Sequence, residues 1–218
     1  MEMTIQALKK LVRQGEGQEL EFKKKANHPE KIVKEVVAFA NAKGGRLLIG
    51  VDDFGGLAGC RYPEEEAFVL ERAFDQMIFP ALPMYKSYIT LDNGFTVIIY
   101  DIPEGVQKPY KVKTAEHAKV YIRQQDRSIQ ASGPLKEILR RRAYPKNIQF
   151  EVGPIEKQLL VAVEENNSIT VAGLSELASI SKKMAAKRLI TLVLTNVLEI
   201  IPQETGDLYV LSNKAHSA

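Results

Sequence analysis

Two short stretches of this chain gather carboxylates, and a third gathers cations around a tyrosine. Glu16-Gly17-Gln18-Glu19-Leu20-Glu21-Phe22-Lys23 and Gly50-Val51-Asp52-Asp53 carry the acids. Carboxylates hold hard divalent cations, and a bound cation activates water and stabilises charge on a phosphate. Lys119-Val120-Tyr121-Ile122-Arg123 carries the cations. In an extended strand Lys119, Tyr121 and Arg123 share one face, and with Arg127 nearby that face would offer charge and an aromatic ring to a sugar-phosphate backbone. Both groups also have plainer uses. Acids suit strand ends and tight turns, Lys23 shares a face with Glu21 and would neutralise it, and lysines and arginines solubilise an exposed strand while Tyr121 covers the core edge.

The elements that position these residues follow from periodicity. Ile5, Leu8, Leu11 and Val12 recur at helical spacing, and Gly15 and Gly17 end that helix. Glu19 to Lys23 alternates as a strand with Leu20 and Phe22 facing the core. Pro29 opens a helix that buries Ile32, Val33, Val36, Val37 and Ala40 and stops at Gly44-Gly45. Arg46 to Val51 is a near-continuous apolar run that reads as a central strand, followed by a turn at Asp53-Phe54-Gly55-Gly56. A helix from Pro63 to about Ile78 carries three acids near its positive end. Strands at Tyr85 to Leu91 and Phe95 to Ile102 flank Asp92-Asn93-Gly94, a hairpin signal. The strand from Lys119 to Arg123 precedes a helix near 134–142.

The pattern E-x4-E-F-K, a helix, A-F-A-N-x-x-G-G, a strand and G-V-D-D resembles the N-terminal part of the Schlafen AlbA-type nucleic-acid-binding domain. Its residues here are Glu16 to Lys23, Ala38-Phe39-Ala40-Asn41-Ala42-Lys43-Gly44-Gly45 and Gly50 to Asp53. Lys108-Pro109-Tyr110-Lys111-Val112-Lys113 and Val120-Tyr121-Ile122-Arg123 match the family's later elements, so the resemblance covers most of residues 10–135. It implies that Glu16, Glu21 and Asp53 form a metal-dependent acidic site, catalytic and metal-binding alike, as in those Schlafen proteins that are RNases. Spacing sets a condition on that site. Fully extended, Glu16 and Glu21 would stand roughly 16 Å apart, too far to share one ion, so a bend at Gly15 or Gly17 is required.

The paired glycines do not make a phosphate loop. A P-loop runs strand, G-x4-G-K-[ST], helix, whereas Gly44-Gly45 follows a helix and enters a strand, and no G-x4-G-K-[ST] occurs in the chain. ATPase activity is not expected. Cys60 is the single cysteine, and His28, His117 and His216 lack zinc-ligand spacing.

Beyond Tyr144-Pro145-Lys146-Asn147 lie three helical patterns near 154–165, 171–178 and 181–197, then Glu199-Ile200-Ile201, a Gly206-Asp207 turn and Leu208 to Leu211. Three helices with a two-stranded hairpin resemble a winged helix-turn-helix. Its third helix would enter the major groove with Ser181 as N-cap and Lys182, Lys183, Lys187 and Arg188 as contacts. Glu204 and Asp207 on the hairpin, and an acid surplus in this segment, weigh against strong DNA binding. Residues 1–149 carry 24 Lys+Arg against 19 Asp+Glu, while residues 150–218 carry 6 against 8.

The expected fold class is therefore α+β, a mixed sheet with flanking helices (Schlafen AlbA-like) over residues 1–143, a linker at 144–152 and a small winged-helix domain at 153–218. Lys23, Lys111, Lys113, Lys119, Tyr121, Arg123 and Arg127 are the candidate nucleic-acid contacts of the first domain. The expected function is nucleic-acid binding, as a cytoplasmic DNA-binding transcriptional regulator. DNA or RNA is the partner, no membrane is involved, no cofactor is assigned unless the chain is a nuclease, and the winged-helix resemblance implies a homodimer. A metal-dependent endoribonuclease using Mg or Mn is the alternative. A protein-interaction scaffold is a second.

Overall fold

The computed structural model describes residues 3–148 and 151–212; Gln149 and Phe150 of the expected linker and His216 lie outside them. The chain divides into two compact units, Met1–Gln130 and Ala131–Ala218.

The first unit is α+β. It runs α1 (Ile5–Val12), β1 (Leu20–Lys23), α2 (Pro29–Asn41), β2 (Gly45–Ile49), α3 (Pro63–Met77), β3 (Ile78–Phe79), β4 (Tyr85–Thr90), β5 (Thr96–Ile102), β6 (Lys111–Lys113), β7 (Ala118–Lys119), β8 (Tyr121–Gln124) and β9 (Arg127–Gln130). Four strands form a mixed sheet in the order β1-β2-β5-β4, with β1 parallel to β2 and the other pairs antiparallel. The parallel pair is possible because α2 supplies the crossover between them.

Alternation along the strands divides the core in two. Leu47 and Ile49 of β2 and Ile98, Tyr100 and Ile102 of β5 face α2 and α3, while Leu20, Phe22, Leu48, Val97 and Ile99 face Leu8 and Val12 of α1. Both faces of the sheet are thus covered, which explains why Leu47-Leu48-Ile49 is apolar without interruption. Burying one such side chain contributes about 1.5–3 kcal/mol. The helices obey their end signals: Pro29 and Pro63 take first-turn positions, and Glu64, Glu65 and Glu66 sit at the positive end of α3.

Three short strands, β3, β6 and β9, lie outside the sequence expectation. Runs of two to four residues give few alternations to register. β3, β6 and β7 form one small sheet, and β8 pairs with β9 as a hairpin.

The second unit contains α4 (Gly133–Ala143), α5 (Pro154–Asn166), α6 (Val171–Leu177), α7 (Lys182–Leu194), β10 (Leu198–Ile201) and β11 (Leu208–Leu211). β10 and β11 pair antiparallel, and Leu159, Leu174, Leu189, Val193, Leu198 and Tyr209 make the core. Ile138 of α4 lies in that same core. The sequence places this helix before the linker; its apolar stripe packs on α7 instead. Among the described residues no helix is long and apolar enough to cross a membrane.

Candidate functional site

The bend that the acidic site requires is present. Gly15 adopts φ +75°, a left-handed conformation that a side chain disfavours, and it stops α1 with its N–H on the Val12 carbonyl at 3.1 Å. Gly17 then donates to the Leu20 carbonyl at 2.9 Å. This tight loop turns the Glu16 carboxylate back onto β1, where it accepts the Phe22 N–H at 2.8 Å. Burial pushes the Glu16 carboxyl above the ordinary carboxylate range, against the Phe22 hydrogen bond, and the charges of Glu21 and Asp53 push the same way.

Glu21 follows the predicted parity, opposite Leu20 and Phe22, but that face is not open. It lies beneath α2 and the β8–β9 hairpin, and Glu21 is 6% exposed. Arg123 of β8 reaches across it with a fully buried side chain. Its guanidinium donates to Glu21 at 2.7 Å, to Glu35 of α2 at 2.7 Å, to the Gly17 carbonyl at 3.0 Å and to the Leu20 carbonyl at 3.3 Å. The Phe39 ring stacks under it at 4.8 Å. Lys23 takes the other Glu21 oxygen, and Ser128 of β9 donates to Glu35. The side chain of Gln18 closes the clamp, donating to the Arg123 carbonyl at 3.0 Å and accepting from the Gln125 N–H at 2.7 Å.

Arg123 is therefore corrected from a solvent-facing phosphate contact to a buried ion-pair centre. Strand parity assigned its side but not what covers that side; the packing of β8 on α2 does. Glu35 is the participant that sequence reasoning missed. Its signal was available, an acid inside the apolar stripe of Val33, Val36 and Val37. Burial raises its carboxyl too, opposed by the Ser128 hydrogen bond, with Glu21 raising it further and Arg123 lowering it.

These contacts decide how the acids suit a metal. Both Glu21 oxygens are committed to cations and one Glu16 oxygen to a backbone N–H. Asp53 is exposed on its turn. Among the described residues no group of three His, Cys, Asp or Glu is arranged to hold a metal ion. As arranged, Glu16, Glu21 and Asp53 do not fit a shared cation.

The remaining motif residues serve the same clamp. Asn41, at the end of α2, accepts the Tyr110 N–H at 2.7 Å and donates to the carbonyls of Tyr110 and Tyr121 at 2.9 and 2.8 Å. A side chain at Gly45 would place its Cβ 2.5 Å from the Phe39 ring that supports Arg123. At Gly44 it would meet the Ile102 carbonyl at 2.5 Å. Both glycines are close-packing residues. Asp52 accepts the N–H groups of Phe54 and Gly56 at 3.0 and 2.8 Å, as a turn aspartate does.

The other cations of the first unit do not share a face. Lys119 lies in register with the buried Val112, so it points to that side, while Lys111 and Lys113 point to the other. Tyr121 packs against the core with Lys34 5.9 Å from its ring centroid, so burial holds its phenol above the ordinary range. Lys23 is held by Glu21. Lys113 and Arg127 are exposed.

In the second unit Ser181 caps α7, accepting the Met184 N–H at 3.3 Å, as predicted from its position. Lys182, Lys183 and Lys187 are exposed on the first turns of that helix. Arg188 is corrected: it turns inward to the buried Glu156 of α5, because its helical position shares the core side with Ala185 and Leu189. Asp207 is also turned inward, 8% exposed and receiving the Ser132 hydroxyl, so it is not a charge presented to a partner.

No curated protein matches the sequence. One similar solved structure is the NMR structure of the N-terminal domain of a protein related to the ATP-dependent DNA helicase RecG, from Nitrosomonas europaea. It is 24% identical, covers 57% of this chain and 89% of that one, and has a TM-score of 0.45. Another is the crystal structure of the DIP2311 protein of Corynebacterium diphtheriae, 15% identical, covering 89% of this chain but 34% of that one, with a TM-score of 0.41. The family model described as Schlafen, AlbA_2 matches residues 16–132, the stretch from Glu16 through the Arg123 hairpin to the start of α4. That match takes in more than half of the sequence and all the residues of the clamp, and the chain belongs to the Schlafen, AlbA_2 family.

Proposed function

We propose that the chain is a nucleic-acid-binding protein, a cytoplasmic transcriptional regulator whose second unit is a winged helix that reads DNA with α7. Family membership supports nucleic-acid binding in general; the charge on α7 supports this mode. Lys182 and Lys183 stand in the first turn of that helix, at its positive end, where no acid stands, and Lys187 is exposed one turn further on. A cation there costs about 0.3–1 kcal/mol against the helix dipole. Other helices of the chain follow the opposite rule: α3 begins with three glutamates and α4 ends with three arginines. Two lysines kept where folding disfavours them, with a third beside them, are explained by a polyanionic partner. The inward turn of Asp207 removes one objection to such a partner. A homodimer on a two-fold site belongs to this reading.

Fluorescence anisotropy of the full chain on duplex DNA at low salt is the test. Lys182→Glu with Lys183→Glu weakens binding at least tenfold, and an unchanged affinity overturns the reading. An endoribonuclease reading has one observation in its favour, the Gly15 bend that turns Glu16 back onto β1, and requires Glu21 to leave Lys23 and Arg123. Mn²⁺-dependent cleavage of structured RNA that Asp53→Ala abolishes would establish it; no cleavage with Mn²⁺ or Mg²⁺ would end it.

A further inference from the structure

A cavity of about 820 Å³ opens at the end of α4 in the second unit, lined by Arg140, Arg141, Arg142 and Lys146 together with Tyr144. Its size lies within the range of small-molecule sites. Its charge is far from balanced. Glu137 pairs with both Arg140, at 2.8 Å, and Arg141, at 2.7 Å. Among the described residues no ion pair forms to Arg142 or Lys146. The α4 terminus adds roughly half a negative charge, so four cations face about one and a half negative charges. The helix end alone would account for the arginines of its last turn, but not for Lys146, which lies beyond the helix in the same cavity.

The neutral lining is equally informative. Tyr144, the residue that ends α4, is 57% exposed at this cavity. Asn147 and Asn196 bring carboxamides, each both donor and acceptor, and Leu194 adds an apolar side chain. Cations match phosphates, an aromatic ring stacks on a base, and carboxamides pair with base edges.

We infer that this cavity binds a free nucleoside polyphosphate, without hydrolysing it. The site is separate from the lysines of α7, and its test does not depend on DNA binding. Isothermal titration of the full chain with GTP, ATP and inorganic tripolyphosphate reads it directly. A nucleoside triphosphate binds at one site per chain with micromolar affinity, and Arg142→Glu with Lys146→Glu weakens it at least tenfold. Tyr144→Ala weakens the nucleotide by roughly tenfold, the scale of one stacked base, and leaves tripolyphosphate unchanged. No heat with either nucleotide at 1 mM in low salt overturns the proposal. So does nucleotide binding that survives the double charge reversal, or a Tyr144→Ala variant that loses tripolyphosphate and nucleotide alike. A duplex oligonucleotide that needs Arg142 and Lys146 while the free nucleotides do not bind would assign the cavity to nucleic-acid backbone and overturn it too.

Discussion

Replacing Arg123 with methionine separates the two roles assigned to this residue. Methionine keeps most of the volume over Phe39 while removing the charge and all four hydrogen bonds. Two of those bonds go to carboxylates at 2.7 Å, a class that contributes about 1.5–3 kcal/mol each. Their loss leaves Glu21 and Glu35 facing each other with less compensation. Lys23 and Ser128 remain to satisfy part of the charge, so the cost should match that of breaking one buried ion pair, about 3–5 kcal/mol. For a unit of this size that lowers the melting temperature by roughly 10–20 °C. With two units in the chain a single two-state transition is not assured. The assay is therefore hydrogen exchange followed by mass spectrometry on β1, β2 and α2, beside circular dichroism melts. Adding Glu21→Gln and Glu35→Gln to the methionine variant should recover much of the loss, since the neutral side chains no longer require a cation. A stability change below about 1 kcal/mol, accompanied by weaker DNA or RNA binding, would show that Arg123 works at the surface and would refute the clamp.

Three other outcomes follow. The folded-state pKa of Glu16 lies above its ordinary value, so the folded protein holds this proton more tightly than the unfolded chain does, and stability falls as pH rises from about 4 through the folded pKa. Glu16→Gln, which still accepts from Phe22 N–H, should match the wild type in melts near pH 4 and exceed it increasingly toward neutrality; a gap that shrinks with rising pH contradicts the assignment. Gly45→Ala should destabilise the first unit by about 1–3 kcal/mol, because its Cβ would stand 2.5 Å from the Phe39 ring, and a melt equal to wild type would show that the ring yields freely. Arg188→Met should destabilise the second unit rather than merely weaken DNA binding, because Glu156 is 3% exposed and would lose its cation; an unchanged melt would return Arg188 to the binding surface.

Much of the framework was legible in the sequence because it rests on short-range rules. Leu47-Leu48-Ile49 reads as a strand covered on both faces, Pro29 and Pro63 mark helix starts, and the Gly15 bend could be required before it was seen. The site was less legible because its decisive contact is long-range. Glu21 and Arg123 are separated by 102 residues, and each was placed on the correct side of its own strand. Nothing local says that α2 and the β8–β9 hairpin close over that side. Arg188 fails for the same reason: its spacing from Ala185 and Leu189 puts it on the core side of α7, but its partner Glu156 comes from another helix. Glu35 could have been found, since an ionisable residue within an apolar helical stripe signals a buried partner.

The motif that carries the family resemblance thus builds one connected support. Glu21, Phe22 and Lys23, then Phe39, Asn41 and Gly45, then Tyr110, Tyr121 and Arg123 are joined through hydrogen bonds and the Phe39 ring. This explains their joint occurrence in physical terms without a metal. It also moves the weight of the functional reading to the lysines of α7.

The salt dependence of duplex DNA binding tests that reading most directly. Each phosphate neutralised contributes a slope of about −0.9 to log K against log salt. Anisotropy titrations between 50 and 200 mM salt, on wild type and on Lys182→Gln with Lys183→Gln, should give a slope shallower by roughly 2 in the variant. Equal slopes for the two proteins would contradict the account.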